Sequence, residues 1–173
     1  MNAAKESMVA VPPRWLPAYV GVGSNLDTPA RQVARAIEGL GQLRGTRRVA
    51  VSPLYRTRPF GDVVQPAFVN AVAGLLTQRT PEELLGDLRT LEVELGRAPP
   101  RERWGPRVID LDLLVVGREI RGTETLTLPH AGIAERDFVL YPLADVAPDL
   151  DVPGLGTVRE LRARVANRGL ERL

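Results

Sequence analysis

The order of short apolar runs and helical patterns is the feature of this 173-residue chain that most constrains its fold. Four runs read as strands, because each is short, apolar and bounded by glycine, proline or polar residues. Helical patterns separate the first run from the second and the third from the fourth. The predicted strands span residues 18–23, 49–55, 68–76 and 107–116. Strand-helix-strand-strand-helix-strand is the order of a split βαβ unit, so we predict an α+β, ferredoxin-like sandwich with helices packed on an antiparallel sheet.

The second helix has the clearest boundaries. Residues 80–83, Thr-Pro-Glu-Glu, form a capping box with proline in the first turn, and Gly96 ends the helix. Its apolar stripe at helical spacing comprises Leu84, Leu88, Leu91 and Leu95. Similar signals predict a first helix from Pro29 to Gly41, and a last helix is predicted for about residues 158–167. Loops dense in proline, glycine or arginine connect the remaining elements.

Composition limits the class of protein and its setting. The chain is 44% hydrophobic and 25% charged with a formal net charge of +2, which suits one folded domain with a core. We place that domain at residues 17–173 and interpret residues 1–16 as a flexible N-terminal extension. No apolar run approaches the roughly 20 residues that span a membrane. The lack of cysteine and the single histidine exclude a disulfide framework and multi-histidine zinc centres, and we expect a cytoplasmic protein.

An acidic pair interrupts the fourth apolar run. Asp110 and Asp112 are two residues apart, so alternation along a strand places both carboxylates close together on one face. Like charges at that separation are unfavourable unless a cation or guanidinium groups neutralise them. Carboxylate oxygens suit Mg²⁺, which takes one or two protein carboxylates and completes its shell with phosphate oxygens and water. The pair therefore indicates a metal site, and the alternative is a solvated strand face near a sheet edge.

A basic segment directly precedes the acidic pair. Residues 96–107 contain four arginines and one tryptophan, namely Arg97, Arg101, Arg103, Arg107 and Trp104. Arginines beside a carboxylate-bound metal suit a polyphosphate, because the metal neutralises bridging oxygens and the guanidinium groups neutralise the others. A solvated basic loop is the alternative for Arg101 and Arg103, and it is less attractive for Arg107. A tryptophan in a loop rich in glycine and proline favours stacking on a planar ligand.

Residues 103–112, Arg-Trp-Gly-Pro-Arg-Val-Ile-Asp-Leu-Asp, closely resemble the signature of the 6-hydroxymethyl-7,8-dihydropterin pyrophosphokinase family. Further blocks in family-like order extend the resemblance over nearly all of residues 18–149. They are residues 21–26 (GVGSNL), 52–57 (SPLYRT), 65–70 (QPAFVN), 128–130 (LPH) and 136–140 (RDFVL). The resemblance implies an enzyme of folate biosynthesis that transfers pyrophosphate from ATP to the hydroxymethyl group of the pterin and releases AMP.

The resemblance also implies roles for individual residues. The catalytic residues would be Arg97, Arg107, Asp110 and Asp112, with Asp110 and Asp112 holding two Mg²⁺ ions. ATP would be contacted by Glu92, Arg97, Arg107, Leu113, Thr127, His130 and Arg136. The pterin would be held by Thr57, Phe60, Phe68, Asn70, Trp104 and Phe138. Strict alternation would put Arg107 and Asp110 on opposite faces, so we expect regular strand geometry to begin only after Arg107.

Two other functions fit parts of the sequence. A ferredoxin-like sandwich with a basic surface could bind RNA, but the strands lack the aromatic platform of such domains and the fourth carries acids instead. A metal-dependent phosphohydrolase could use the same acidic pair, but it would leave Trp104 and Asn70 without a role. The Gly21-x-Gly23 pattern lacks the lysine motif of nucleotide phosphate loops, and we do not interpret it as one. We therefore expect a monomer that binds ATP and the pterin, with no nucleic-acid or membrane partner.

Overall fold

The computed structural model describes residues 14–58, 65–97 and 106–173. Its strands and helices are numbered in chain order. They are β1 (Leu16–Ser24), α1 (Pro29–Leu40), β2 (Thr46–Val51), β3 (Tyr55–Thr57), β4 (Phe68–Thr77), α2 (Pro81–Glu94), β5 (Asp110–Val116), β6 (Arg121–Gly122), β7 (Thr127–Leu128), α3 (Asp137–Val146), β8 (Asp151–Val152), β9 (Gly156–Thr157), α4 (Val158–Arg164) and β10 (Glu171–Arg172).

Strand β1 lies inside the main sheet, between β4 and β5. Within the described residues six strands form this sheet in the order β10-β3-β4-β1-β5, and β2 pairs with the part of β4 that β3 leaves uncovered. Every neighbouring pair of strands is antiparallel. Two short hairpins, β6-β7 and β8-β9, lie outside the sheet. An antiparallel sheet with helices packed on it confirms the predicted α+β fold class.

Helices α1 and α2 cover one face of the sheet. Their apolar stripes are buried against alternate sheet residues in one cluster. The sheet contributes Ala18, Val20, Val22, Ala71, Ala73, Leu75, Leu111 and Leu113, and the helices contribute Val33, Ala36, Ile37, Leu40, Leu84, Leu88 and Leu91. Burying a large aliphatic side chain contributes roughly 1.5–3 kcal/mol, so this face supplies much of the driving force for folding.

The start of α2 confirms the predicted capping box. The Thr80 hydroxyl accepts the Glu83 N–H at 3.2 Å, and the Glu83 carboxylate accepts the Thr80 N–H at 3.0 Å. Two of the N–H groups that a helix start leaves unpaired are thereby satisfied within the chain. The start of α2 is therefore encoded locally.

Helices α3 and α4 lie on the other side of the sheet. A second apolar cluster joins them to the sheet through Val72, Leu114, Leu140, Leu143 and Leu161. Helix α3 has no counterpart among the predicted helices, because residues 138–143 are nearly all apolar and include Pro142, so no helical period is visible. Helix α4 is shorter than predicted and ends at Arg164, since Val165 is extended. The rest of this face forms a pocket.

Two predicted strands have different boundaries in the structure. The predicted strand at residues 49–55 is divided into β2 and β3, because Pro53 has no N–H to donate to a ladder. Strand β5 begins at Asp110. That start agrees with the expectation that regular geometry begins after Arg107.

The structure describes only the end of the predicted N-terminal extension. Residues 1–13 lie outside the described residues, and Leu16 already belongs to β1. The Trp15 ring lies under the Arg47 guanidinium, 4.7 Å from it. In the described part of the chain, no helix is long and apolar enough to cross a bilayer.

Candidate active site

Two glycines of β1 form the floor of the pocket. In the register of the sheet, Gly23 lies between Asn70 of β4 and Asp110 of β5. Gly21 lies opposite Asp112. A Cβ atom built on Gly23 would lie 2.6 Å from Asn70 Oδ1, far inside contact distance. Glycine at this position therefore gives the Asn70 carboxamide room, and the Gly-x-Gly pattern has a packing role that the sequence analysis did not assign.

The acidic pair forms one wall of the pocket. Asp110 and Asp112 both line it, whereas the intervening Leu111 is buried on the α1/α2 side. The predicted placement of the two carboxylates on one face is thus confirmed. Burial, and then repulsion from Asp112, raise the pKa of Asp110, while Arg107 and Arg97 oppose that rise. The wall therefore concentrates negative charge that needs cations.

Two arginines converge on Asp110. Arg107 Nη1 lies 2.6 Å from Asp110 Oδ2, and Arg97 Nη1 lies 3.0 Å from Asp110 Oδ1. A guanidinium group has five N–H donors, so both arginines keep donors beyond those that they use here. The side chains of Arg97 and Arg107 remain 24% and 28% exposed. Positive charge is thus held beside the acidic pair and stays accessible from solvent.

Glu92 lies behind this cluster. It is 6% exposed, and its Oε1 accepts the Leu111 N–H at 2.7 Å and also pairs with Arg97. Burial raises the pKa of Glu92, and the bond from Leu111 and the charge of Arg97 oppose the rise. The Leu111 N–H points away from β1, so Glu92 satisfies a donor on the outer edge of β5. The same carboxylate orients Arg97 toward Asp110.

His130 and Arg136 face Asp112. His130 Nε2 is 3.9 Å from Asp112 Oδ1, and Arg136 Nη1 is 3.8 Å from Asp112 Oδ2. Both distances are longer than a hydrogen bond, so these groups leave space between them and the carboxylate. His130 Nδ1 accepts the Gly132 N–H at 3.1 Å, which assigns the proton of the neutral ring to Nε2, on the side of Asp112. The His130 N–H donates to Leu114 O at 2.9 Å and holds this residue beside β5.

Asn70 and Thr57 form another part of the pocket wall, with two phenylalanines. Asn70 Nδ2 donates to Thr57 Oγ1 at 2.8 Å, and both residues are buried. Phe68 and Phe138 line the same pocket. The structure therefore brings together four residues that the sequence analysis assigned to one ligand, and it places them on the same sheet face as the acidic pair.

Comparison with known proteins identifies the group to which the chain belongs. Residues 19–148 match the model of the family described as 7,8-dihydro-6-hydroxymethylpterin-pyrophosphokinase (HPPK). The chain belongs to this family. Membership assigns to it pyrophosphoryl transfer from ATP to hydroxymethyldihydropterin, in folate biosynthesis.

Individual HPPK relatives are similar over most of their length. The chain is 46% identical over 155 residues to the 2-amino-4-hydroxy-6-hydroxymethyldihydropteridine pyrophosphokinase of Pseudomonas aeruginosa, and the match covers 90% of this chain and 95% of that protein. The protein of the same name from Haemophilus influenzae is 41% identical over 156 residues, which cover 90% of this chain and 97% of that one. A solved Plasmodium falciparum HPPK-DHPS structure with SDX-DHP matches with a TM-score of 0.70 at 15% identity, over 87% of this chain and 44% of that chain. This chain spans less than half of that solved protein, and the likeness supports the fold alone.

Six predicted site residues of this HPPK chain are not among the described residues that line the pocket. Two of them, Glu92 and Arg97, lie behind the acidic pair, where Arg97 contacts both Glu92 and Asp110. Leu113 is 3% exposed and packs in the apolar cluster under α1 and α2. Thr127 is exposed on β7. Phe60 and Trp104 lie outside the described residues. The roles of all six stay predictions, as do the roles of the predicted residues that line the pocket.

Asn25 supports the HPPK site, although the sequence analysis did not single it out. It is 1% exposed, and its Nδ2 donates to Gln65 Oε1 at 3.0 Å and to Pro66 O at 3.2 Å. Its Oδ1 accepts the Arg107 N–H at 2.8 Å. Asn25 thus fixes the backbone of Arg107 relative to the residues before β4. The available signal was its place in the family-like block at residues 21–26.

The pocket lining also includes residues that were not predicted, among them Arg58, Gln65 and Val139. Each stands next to, or near, a predicted residue in the chain, but its residue type alone carries no sign of a site. They line the pocket because Arg58 follows β3, Gln65 precedes β4 and Val139 belongs to α3.

Proposed function

We propose that this HPPK-family enzyme holds the phosphates of ATP at the acidic pair and its cationic neighbours, and the pterin at Asn70 and Thr57. One observation carries the proposal: a single pocket combines two carboxylates, three arginines and a histidine with two side-chain amides, a hydroxyl and two phenyl rings. A triphosphate needs the first group of side chains. A flat heterocycle with hydrogen-bonding edges needs the second.

Asp110 and Asp112 are the proposed ligands of two Mg²⁺ ions. Their oxygens are the hard donors that Mg²⁺ prefers, and the ion usually takes one or two protein carboxylates. The arginines bound to Asp110 show that the pair attracts positive charge. Within the described residues there is no cluster of three or more metal-ligating side chains, so the proposal rests on this pair. When bound, Mg²⁺ would neutralise phosphate oxygens and favour ionisation of the substrate hydroxyl.

The proposed phosphate contacts are Arg97, Arg107, His130 and Arg136. The guanidinium groups of Arg97 and Arg107 can bind pairs of phosphate oxygens and are already held at the edge of the site by Asp110. Arg136 and the Nε2–H of His130 border the space beside Asp112. The three guanidinium groups and this N–H donor would stabilise the charge that develops on the transferred group.

The remaining predicted contacts rest on different support. Glu92 is proposed to act on ATP through Arg97, which it orients. Leu113 and Thr127 are proposed as ATP contacts on their family-like positions alone. Phe60 and Trp104 are proposed as pterin contacts on the same ground.

The pterin is proposed to bind with its edge toward Asn70 and Thr57. The Asn70 carboxamide offers a donor and an acceptor to an amide-like ring edge, and its bond to Thr57 fixes the plane of the group. Phe68 and Phe138 supply apolar surface for the ring faces. Because Gly23 has no side chain, the ring can approach the backbone of the sheet.

The reaction needs alignment more than covalent chemistry by the protein. The hydroxymethyl oxygen forms a bond to the β-phosphorus, the bond from that phosphorus to the α,β-bridging oxygen breaks, and AMP and a proton are released. The arginines neutralise the phosphate charge, and the pocket holds the two substrates in line. No protein nucleophile is required.

The nucleotide product tests the proposed reaction most directly. Protein, Mg-ATP and 6-hydroxymethyl-7,8-dihydropterin should yield AMP and the pterin diphosphate in equal amounts, as separated by anion-exchange chromatography. ADP as the product would indicate ordinary phosphoryl transfer. Inorganic phosphate formed without pterin would indicate hydrolysis.

Metal dependence needs its own measurement. Chelation with EDTA should stop turnover, and added Mg²⁺ should restore it. Calorimetric titration of Mg²⁺ into protein saturated with a non-hydrolysable ATP analogue should give a stoichiometry of two ions per protein. A stoichiometry of one ion would contradict the proposed count. We also propose that the protein is cytoplasmic and monomeric. Light scattering tests the oligomeric state, and a monomer should give a mass near 18.9 kDa.

A further inference from the structure

Asp137 is a buried carboxylate that the proposed mechanism leaves without a role. It is the first residue of α3 and is 7% exposed. Its Oδ1 accepts the Phe138 N–H at 2.9 Å, and its Oδ2 accepts the Arg168 N–H at 2.8 Å. A carboxylate in the first turn of a helix is also favoured by the helix dipole. Asp137 therefore joins the start of α3 to a residue 31 positions further along the chain.

The segment of residues 167–173, here called the closing segment, continues this link to β3. It starts with a tight turn in which Asn167 Oδ1 accepts the N–H groups of Gly169 at 2.9 Å and Leu170 at 2.6 Å. Gly169 has a φ of 94°, which glycine adopts without strain. Strand β10 then pairs with β3. The closing segment is thus bonded to α3 at one end and to β3 at the other.

The two elements that the closing segment joins both line the proposed pterin subsite. Thr57 and Arg58 line the pocket at the end of β3, and Phe138 and Val139 line it from α3. The turn also lies beside Arg58, since a Cβ atom built on Gly169 would be 3.6 Å from Arg58 Nε. The closing segment therefore bridges the β3 and α3 walls of the subsite.

We propose that Asp137 is a positioning residue for the pterin and that its bond to the closing segment sets the separation between Phe138 and Thr57. The inference rests on the proposed function, which assigns these two residues to the pterin. A flat ring is held well only when the groups on its faces and edge stay at contact distance. Asp137 binds the N–H of Phe138 itself, so losing its carboxylate releases the residue that contacts the ring.

A second link between β3 and α3 provides a control that distinguishes positioning of the pterin-binding residues from stabilisation of the fold. Tyr55 Oη donates to Asp145 Oδ2 at 2.5 Å, near the other end of α3. Both links hold the same two elements together, but of the two only the Asp137 link includes a hydrogen bond to a residue that lines the pocket, Phe138. Removing either link should lower the melting temperature. Only removal of the Asp137 link should weaken pterin binding.

The test compares Asp137→Ala, Asp137→Asn and Tyr55→Phe in the full chain. Pterin affinity is measured by fluorescence titration in the presence of Mg²⁺ and a non-hydrolysable ATP analogue. The KM for each substrate, kcat and Tm are measured for the same variants. Asp137→Ala should raise the Kd for the pterin roughly tenfold, because small misplacement of a binding group is costly. Asp137→Asn should raise it less, since the amide oxygen can still accept one bond. The KM for ATP should change little in either variant.

The control decides the interpretation. Tyr55→Phe should lower Tm while leaving the Kd for the pterin at the wild-type value. If the Asp137 variants lower Tm and the pterin Kd does not move, Asp137 is structural and the inference is wrong. Should Asp137→Ala not fold, Asp137→Asn is judged by the same criterion. Wild-type protein that binds no pterin would overturn the proposed function together with this inference, whereas wild-type binding with unchanged variants would overturn this inference alone.

Discussion

The two faces of the main sheet are built from the same strands, yet their side chains have different tasks. Toward α1 and α2, alternate residues are valine, alanine and leucine, and they are buried. Toward the pocket, the residues between them include Gly21, Gly23, Asn70, Asp110 and Asp112. Because successive side chains point to opposite sides of a strand, one run of sequence supplies a dry core and a polar site together. Stability and chemistry should therefore be separable by mutation.

Helix α3 is the place where this separation is weakest. Leu140 and Leu143 pack in the second apolar cluster. Val139 belongs to that cluster and Phe138 packs against it, yet both also line the pocket. Changes in α3 should therefore affect stability and binding together. A change at a pocket-facing residue of β5 should affect binding and catalysis, whereas a change at a core leucine of α2 should affect stability.

The largest effect is expected on the pocket face, from Asp110→Ala and Asp112→Ala. Each should lower kcat/KM by about 10³-fold or more, since removing one group that stabilises transition-state charge can cost that much. The free energy of unfolding should change by less than about 1 kcal/mol, because relief of repulsion between the carboxylates offsets lost ion pairs. Steady-state kinetics and urea unfolding measure the two quantities. Asp151→Ala, an exposed carboxylate elsewhere, is the matched control, and near-normal turnover in either site variant would refute the metal assignment.

On the core face, Leu88→Ala should have the opposite signature. Leu88 is fully buried between α2 and the sheet, so its truncation should cost about 3 kcal/mol of unfolding free energy. KM for both substrates should stay at the wild-type value below the melting temperature. Val93→Ala on the same helix is the control, because Val93 is 68% exposed and its loss should cost under about 0.5 kcal/mol. A rise in KM caused by Leu88→Ala would show that the two faces are coupled.

A pair of glycine substitutions on β1 sharpens the comparison within the pocket. Gly23→Ala would place a Cβ atom 2.6 Å from Asn70 Oδ1, so the carboxamide must move and its bond to Thr57 is disturbed. We expect a rise of roughly tenfold in the Kd for the pterin. Gly21→Ala would meet its nearest neighbour at 3.6 Å, an ordinary contact, and should change the Kd much less. The Kd is measured by fluorescence titration. An equal rise in the Kd for both substitutions would contradict the proposed role of Gly23.

The last effect is absent at neutral pH and appears only in alkaline solution, at the α3 end of the pocket face. Burial, and then the hydrogen bond to Asp145, raise the pKa of Tyr55 to about 12 from its ordinary value of 10.0. The folded protein therefore holds the phenol proton more tightly than the unfolded chain does. The resulting stability is fully present below pH about 10 and is lost as the pH rises toward about 12. Urea unfolding across this range should show a shallower loss for Tyr55→Phe, and identical slopes would contradict the assignment.

Much of the fold followed from local patterns, and the exceptions have physical causes. The capping box at Thr80 and the leucine stripe predicted α2, because both signals act within a few residues. Helix α3 has no visible period, because one side packs on the sheet while residues at its start line a pocket. The division between β2 and β3 follows from Pro53, whose effect on the second predicted strand the sequence analysis did not include.

The candidate site could be predicted in part. Asp110 and Asp112 share a face because a strand has a period of two, and this holds whatever surrounds them. Asn25 and Asp137 were missed, because a buried polar side chain looks the same in sequence as an exposed one. Their importance lies in the backbone groups that they bind, which are remote in the chain.

The sequence by itself determined the order of elements, the ends of α2 and the common face of the two carboxylates, since these depend on neighbours a few residues apart. Only the tertiary structure decided that Glu92 turns Arg97 toward Asp110 and that Gly23 makes room for Asn70. It alone also placed Arg168 against Asp137. Except for that between Glu92 and Arg97, these contacts join residues far apart in the chain, and a local pattern does not specify which distant residue will lie opposite.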